Sequence, residues 1–357
     1  MLTYKAIGAF SPFIIYGFSD KIKMPRLPSN ASQSSMEQII VEKSDIEIDF
    51  HPQNKVGKHL METGLQELMA MYKPPAIYHC EEKGGVFNFQ EGQKRKVLFI
   101  VPGVTGCSEE PYIKEVCGVA LQNGYNPVVL NHTATKDDDL ELRVLDMSDS
   151  KIMRESIERI HNKYGQDVEI YGVGFSLGAN HLLRYLGDHH HDHGMKAAIS
   201  VSNPFDVLAT TIRMRFKFFG IYDRAIRDML ALGFTQGKFK LDRERFDHLW
   251  LTKAKGYKSI YEFDNHVRAK ILGYNSIHGL YREVSCDRFL NNINIPFLVL
   301  HSRDDPICPM ESVPYSDLMN NPNCVIVSTK IGGHCDFFTK IPGKPFKYQR
   351  AFSLMIK

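Results

Sequence analysis

The 357-residue sequence has no CxxC pair, a single tryptophan (Trp250) and no apolar run long enough to span a bilayer. Each shortage excludes something. The seven cysteines (Cys80, Cys107, Cys117, Cys286, Cys308, Cys324 and Cys335) are odd in number and scattered. That pattern sets aside a disulfide framework and a zinc ribbon, and it reads as reduced thiols in an intracellular protein. Charge is nearly balanced, with 44 Lys and Arg against 41 Asp and Glu. A surface built for nucleic acid is therefore not expected. The apolar stretch "AIGAFSPFIIYGF" over residues 6–18 contains Pro12 and falls short of the ~20 residues a membrane helix needs. One lysine precedes it and no small-residue cleavage site follows, so it reads as an interfacial segment or a piece packed on the fold rather than a signal peptide. The expected location is the cytoplasm or a membrane surface.

What is present is enough apolar material, 43% of residues, for a large buried core. Residues 1–90 read as an N-terminal segment, polar and irregular over 24–58, and residues 91–357 as the folded domain. From residue 96 short apolar runs alternate with helical patterns. Strands are expected at 97–103, 126–131, 168–174, 197–204, 295–302 and 324–329, and helices at 113–124, 148–165 and 177–187. Runs apolar on both faces that alternate with helices predict a parallel sheet covered on both sides. Residues 205–290 break the rhythm and read as a helical cap inserted over one end of the sheet. The cap carries 16 Lys and Arg against 10 Asp and Glu, most densely in "RMRFKFF". This suggests peripheral membrane contact through Arg213, Arg215 and Lys217, with solvated basic side chains as the simpler alternative.

The stretch "YGVGFSLGANHLLRYLG" over 171–187 admits three readings. Gly172, Gly174 and Gly178 resemble a dinucleotide fingerprint, but the spacing is GxGxxxG and the acidic residue that should close the next strand is misplaced. A plain tight turn is the second reading. The third is a GxSxG nucleophile elbow, Gly174 to Gly178, which places Ser176 on a sharp strand-to-helix turn where only small flanking residues fit. An activated serine needs a base and an orienting acid, in the chain order Ser, Asp, His for such a fold. "HSRDDPICP" supplies Asp304 and Asp305 after one strand, and "GGHCDFF" supplies His334 after the next. All would lie at the same sheet edge. The oxyanion donors expected from this arrangement are the backbone N–H of Leu177 and that of Val104 in "PGVTG", with Thr105 as the alternative. The histidine-rich loop "DHHHDHG" lacks regular ligand spacing and reads as solvated rather than metal-binding. Cys335 reads as packing and Trp250 as cap core.

Together, "PGVTGCSEEPYI", "GVGFSLGANHLLRYLG", "AAISVSNPFD", "SIYEFDNHVRAKILGY", "DDPICP" and "GGHCDFF" resemble the AB hydrolase 4 family of the α/β-hydrolase superfamily. The resemblance covers about residues 95–340. It implies an α/β-hydrolase fold, Ser176 as nucleophile, Asp305 as acid, His334 as base, and no cofactor or metal. It also implies cleavage of carboxylic esters, with lipid esters such as acylglycerols or phospholipids as substrates. Transfer of the acyl group to an alcohol, as in ethyl-ester synthesis, and a non-catalytic binding role are the alternatives. The sequence departs from the family where "HTATKDDD" stands in place of an Arg-Gly pair, and the family's long N-terminal membrane anchor is not evident.

Overall fold

The computed structural model describes residues 46–50, 95–104, 106, 108, 110–130, 150–235, 256–329 and 333–335. Its strands are β1 (Ile46–Phe50), β2 (Lys96–Val101), β3 (Tyr125–Val129), β4 (Glu169–Phe175), β5 (Met195–Val201), β6 (Phe297–Ser302) and β7 (Cys324–Thr329). They form one sheet in the order β1-β7-β6-β5-β4-β2-β3. From β7 to β3 every pairing is parallel, and only β1 runs antiparallel, against β7.

Alternation along the strands explains the layers. In β2, Val97, Phe99 and Val101 point into one core. Leu98 and Ile100 point into the other. The first core is closed by α2 (Lys151–Tyr164) and α3 (Leu177–Asp188), the second by α1 (Pro111–Gln122). Helix α2 turns Ile152, Met153, Ile157 and Ile160 inward and its charged residues outward. Each such side chain taken fully out of water contributes roughly 1.5–3 kcal/mol before ordering costs. That is why strands apolar on both faces become the middle of the molecule.

Six strands and three helices fall where the sequence pattern predicts them. Strand β1 does not: it lies in the stretch read as irregular, within the segment set apart from the hydrolase domain. Its sequence is IEIDF, and Ile46 to Phe50 pair with Thr329 to Val325. The period-two alternation of an edge strand is short, and its partner lies far away in the sequence. Composition alone therefore hides it.

Between β5 and β6 lie α4 (Val207–Phe216), α5 (Ile221–Thr235), α6 (Ile260–Phe263) and α7 (Ile277–Val284). Helix α6 runs on through a π-type turn, Asp264–Arg268. The buried Asp264 carboxylate accepts from Arg268 at 2.9 Å and from the Tyr281 hydroxyl at 2.7 Å. Pairing of this kind is what lets a charge sit inside. Met214, Leu230, Phe263 and Val267 form a local core that also takes in Val104 and Ile307. These helices thus pack on the loops that follow β2 and β6. Trp250, the 6–18 stretch and "HTATKDDD" lie outside the described residues. Among the described residues, no helix is long and apolar enough to cross a membrane.

Near the far end of α3, a Cβ on Gly187 would lie 2.2 Å from the Phe289 carbonyl oxygen and 2.7 Å from its Cβ. The helix can approach the Asp287–Asn292 turn only because no side chain intervenes. Gly187→Ala is expected to lower stability by about 1–3 kcal/mol through overpacking. Denaturant unfolding checks this.

Candidate active site

Strand β4 and helix α3 meet at Ser176, whose backbone is forced to φ 51° and ψ −124°. An L-residue avoids this region unless its surroundings hold it there. Here they do. A Cβ on Gly174 would sit 2.5 Å from the Ala179 Cα, and one on Gly178 would sit 2.1 Å from the Pro102 carbonyl oxygen. The two glycines therefore let α3 press against both its own strand and the end of β2. Ser176 N–H donates to the Val201 carbonyl at 2.8 Å, which ties the turn to β5. The result is a half-buried serine hydroxyl raised above the C-terminal edge of the sheet.

His334 reaches it from the loop after β7. Its Nε2 is 2.9 Å from Ser176 Oγ, and its Nδ1 is 2.9 Å from Asp305 Oδ2 and 3.1 Å from Oδ1. Asp305 follows β6 and is fully buried. Its Oδ1 also accepts the Ile307 and Cys308 amides, each at 2.8 Å. Burial alone would raise the Asp305 pKa, but the neighbouring His334 outweighs it and holds the carboxyl below its usual value. For His334 the same two effects run in reverse. Burial alone would lower its pKa, and the Asp305 charge raises it well above the ordinary histidine value. With Nδ1–H donated to Asp305, Nε2 is left to accept from the serine.

The adjacent acid has different work. Asp304 is exposed, and its Oδ1 accepts the Gly333 amide at 2.8 Å and the Ser302 hydroxyl. It fastens the loop that carries His334. Ser202 does the same from just past the end of β5: its Oγ accepts the Cys335 amide at 3.2 Å, next to His334 in the chain. Ser202 and Cys335 both hold positive φ, at 50° and 65°. Neither Ser202 nor the partner that Asp304 fastens was legible in the sequence, because both act through backbone donors of a distant loop. Cys335 is buried in the α1-side core, consistent with packing.

The loop after β2 passes directly behind the serine. A Cβ on Gly103 would meet the Ser176 Cβ at 3.4 Å. Gly103 N–H donates to the Tyr112 hydroxyl at 3.2 Å, and the Tyr112 ring packs edge-on against Phe175 at 5.0 Å. Tyr112 thus fixes the height of the loop, a contribution the sequence reading passed over although Tyr112 lies in "PGVTGCSEEPYI". Of the predicted donors, Leu177 follows Ser176 in the chain and Val104 lies in the loop after β2, beside the cap core. Among the described residues neither backbone N–H has an acceptor. Thr105 lies outside the described residues.

Asp305, Cys308 and His334 also bring three ligand-type atoms within 4.8 Å of one another. The carboxylate and imidazole are bonded to each other, and burial pushes the Cys308 thiol up to about 12. The carboxylate and imidazole are thus already engaged in the line to Ser176. The histidine-rich loop is occupied by protein contacts instead. Arg154 bonds Asp192 at 3.0 Å and 3.1 Å, His189 lies 2.8 Å from Ser150 Oγ, and His193 Nδ1 accepts the Met195 amide at 3.0 Å.

Residues 96–340 match the model of the alpha/beta hydrolase fold. The chain is 28% identical to embryogenesis-associated protein EMB8 of Picea glauca, over 67% of this chain and 52% of that one. It is 27% identical to phospholipase ABHD3 of Bos taurus, over 76% and 65%. It is 29% identical to medium-chain fatty acid ethyl ester synthase/esterase 2 of Saccharomyces cerevisiae, over 68% and 58%. The chain therefore spans about half to two-thirds of the length of these relatives. Among solved structures it is similar to the Pyrococcus furiosus esterase Pf2001, with a TM-score of 0.39 and 17% identity over 68% of this chain and 76% of that one. Since the family match runs from β2 through both loops that meet Ser176, the chain belongs to the α/β-hydrolase fold family.

Proposed function

We propose that this protein is a serine hydrolase of carboxylic esters and that its substrates are lipid esters. The observation that carries the reading is the unbroken line Ser176 Oγ, His334 Nε2, His334 Nδ1, Asp305, with 2.9 Å at each junction. It stands at a strand-to-helix turn that presents the hydroxyl to solvent. In the reaction, His334 Nε2 takes the Ser176 proton as Oγ attacks the ester carbonyl. Asp305 stabilises the imidazolium and keeps the ring in the right tautomer. The amides of Leu177 and Val104 receive the charge that develops on the carbonyl oxygen, a role worth ~3–4 kcal/mol per donor. Collapse of the tetrahedral intermediate breaks the bond to the alcohol, which leaves with the proton from His334. Water, activated by the same base, then releases the acid. The helices between β5 and β6, packed on the loops of Val104 and Ile307, serve as the cap that shapes the acyl pocket. The lipid assignment draws on the names of the relatives, a phospholipase and an ester synthase/esterase.

Transfer of the acyl group to an alcohol shares every step up to the acyl-enzyme and differs only in what attacks it. The yeast relative's name covers both outcomes. Product analysis with and without ethanol separates them.

Ser176→Ala is expected to abolish turnover of a short-chain ester and labelling by a fluorophosphonate probe while the protein stays folded. Because such residues act as a unit, His334→Ala should cost a similar factor and the double variant little more. Asp305→Asn should slow turnover by ~10⁴-fold through loss of the tautomer-setting charge. Asp304→Asn should cost far less, since an amide oxygen can still accept the Gly333 N–H. Wild-type turnover in a folded Ser176→Ala protein would refute the assignment. A larger loss at Asp304 than at Asp305 would refute the choice of acid.

The charge arrangement also sets the pH dependence. The base must be neutral, and Asp305 holds the His334 pKa above its ordinary 6.5. Activity is therefore lost as pH falls through a midpoint that lies above 6.5. In Asp305→Asn the raising charge is gone while the burial remains, so the imidazole should titrate at lower pH than in the wild type. NMR of the His334 ring measures this directly. An unchanged midpoint would contradict the coupling.

A further inference from the structure

Large apolar side chains left exposed are concentrated in one place. Among the described residues they are Ile212, Phe216, Phe218, Phe219, Ile221 and Tyr315. All but Tyr315 fall at the junction of α4 and α5, where Phe216 is 77% and Phe219 91% exposed. Phe218 and Phe219 both take left-handed backbone, at φ 48° and φ 56°, and Gly220 follows at φ 68°. Three left-handed residues in a row make a sharp turn. Glycine is the residue that adopts this conformation without strain, and only the third position has it. Gly220 is also required by space, since a Cβ there would meet the Arg215 carbonyl oxygen at 2.8 Å. The strain at Phe219 is thus held while its ring touches almost nothing of its own chain. Strain kept on a side chain that faces solvent points to a contact outside the chain.

The charges around the turn say what kind of contact. Arg213, Arg215 and Arg224 are exposed beside the rings. From residue 212 to residue 224 the sequence has one acid, Asp223, and it is buried. Among the described residues, the ion pairs of Arg213 and Arg215 are long, at 3.7 Å to Glu311 and 3.9 Å to Glu262. Long exposed pairs of this kind are weak and leave the guanidinium groups free to exchange partners. A second copy of the chain would bring the same cations against this patch, which disfavours self-association through it. Aromatic rings flanked by arginines instead match the interface of an anionic bilayer, where rings settle at headgroup depth and guanidinium groups meet phosphates.

We propose that the protruding α4–α5 turn is a docking wedge for anionic lipid surfaces, with Phe216, Phe218 and Phe219 inserted and Arg213, Arg215 and Arg224 on the headgroups. Lys217, in the middle of the wedge, turns the other way. Its Nζ donates to the Asp305 backbone carbonyl at 3.2 Å. The wedge is therefore fastened to the loop that carries the candidate acid, so that docking would place the site mouth at the membrane. This deepens the lipid-ester reading by naming where substrate is met, yet docking is a separate event from ester cleavage.

The test uses the full-length Ser176→Ala chain, to prevent turnover during binding, and vesicles of phosphatidylcholine with or without phosphatidylserine. Binding by cosedimentation is expected to require phosphatidylserine and to weaken as salt is raised. Adding Phe216→Ser and Phe219→Ser should lower vesicle affinity about tenfold or more, since each ring removed forfeits its apolar transfer. Arg213→Gln with Arg215→Gln should lower it and flatten the salt dependence. With Ser176 restored, the Phe216→Ser, Phe219→Ser chain should hydrolyse a soluble short-chain ester as the parent does. Equal vesicle binding by parent and Phe variants, or none by the parent, would overturn the proposal. So would a parent dimer that the Phe substitutions dissolve without any effect on vesicles, because the patch would then be a subunit interface. Failure of the ester reading would show separately, as absent soluble-ester turnover in the chain with Ser176 intact.

Discussion

The site depends first on how closely α3 can approach the end of β2. Two missing side chains, those of Gly174 and Gly178, permit it. With a Cβ on Gly178 only 2.1 Å from the Pro102 oxygen, the helix would have to move outward and take Ser176 with it. The same approach brings the 102–104 loop up behind the serine, where a Cβ on Gly103 would meet the Ser176 Cβ at 3.4 Å. Turn strain, helix position and loop position are thus one constraint rather than three. The cost is the unfavourable φ at Ser176, which the β5 hydrogen bond and the two flanking cores offset by over-determining the turn.

A second layer of contacts brings His334 to that serine. The imidazole rides on a loop that follows β7, and a loop of that kind has no rigidity of its own. Two side chains supply it from neighbouring strand ends, Asp304 through the Gly333 amide and Ser202 through the Cys335 amide. Asp305 adds the electrostatic restraint, and its own orientation is fixed by two amides of the turn at Ile307 and Cys308. The adjacent acids divide the labour by exposure. The buried one carries the charge that matters to the imidazole, and the exposed one fastens backbone.

Much of this is legible in the amino-acid sequence. Strands buried on both faces announce themselves as continuous apolar runs, so β2 to β7 could be placed to within a few residues. The GxSxG spacing and the order of Ser176, the Asp pair and His334 led to the residues that the structure brings within hydrogen-bond distance. What the sequence hid has a common physical cause. Strand β1 is short and gains its stability from β7, a partner almost three hundred residues away. Tyr112, Ser202 and Asp304 work by accepting hydrogen bonds from backbone groups, which leave no trace in residue identity. Periodicity reports burial, but it does not report which amide a side chain will meet.

The α4–α5 turn reverses the logic of the core. Elsewhere in the described structure, left-handed backbone at residues other than glycine falls at Ser176, Ser202 and Cys335, each held by packing or hydrogen bonds beside the candidate site. Phe218 and Phe219 are the remaining cases, and they lie on the surface with their rings exposed. What holds them from within includes the tight space at Gly220, where a Cβ would meet the Arg215 carbonyl, the edge-on packing of Phe218 on Tyr222 at 5.9 Å, and the Lys217 bond to the Asp305 carbonyl. That last bond links the most exposed apolar segment among the described residues to the backbone of the buried acid Asp305. The turn is thereby joined to the segment that holds the Asp305 carboxylate against His334.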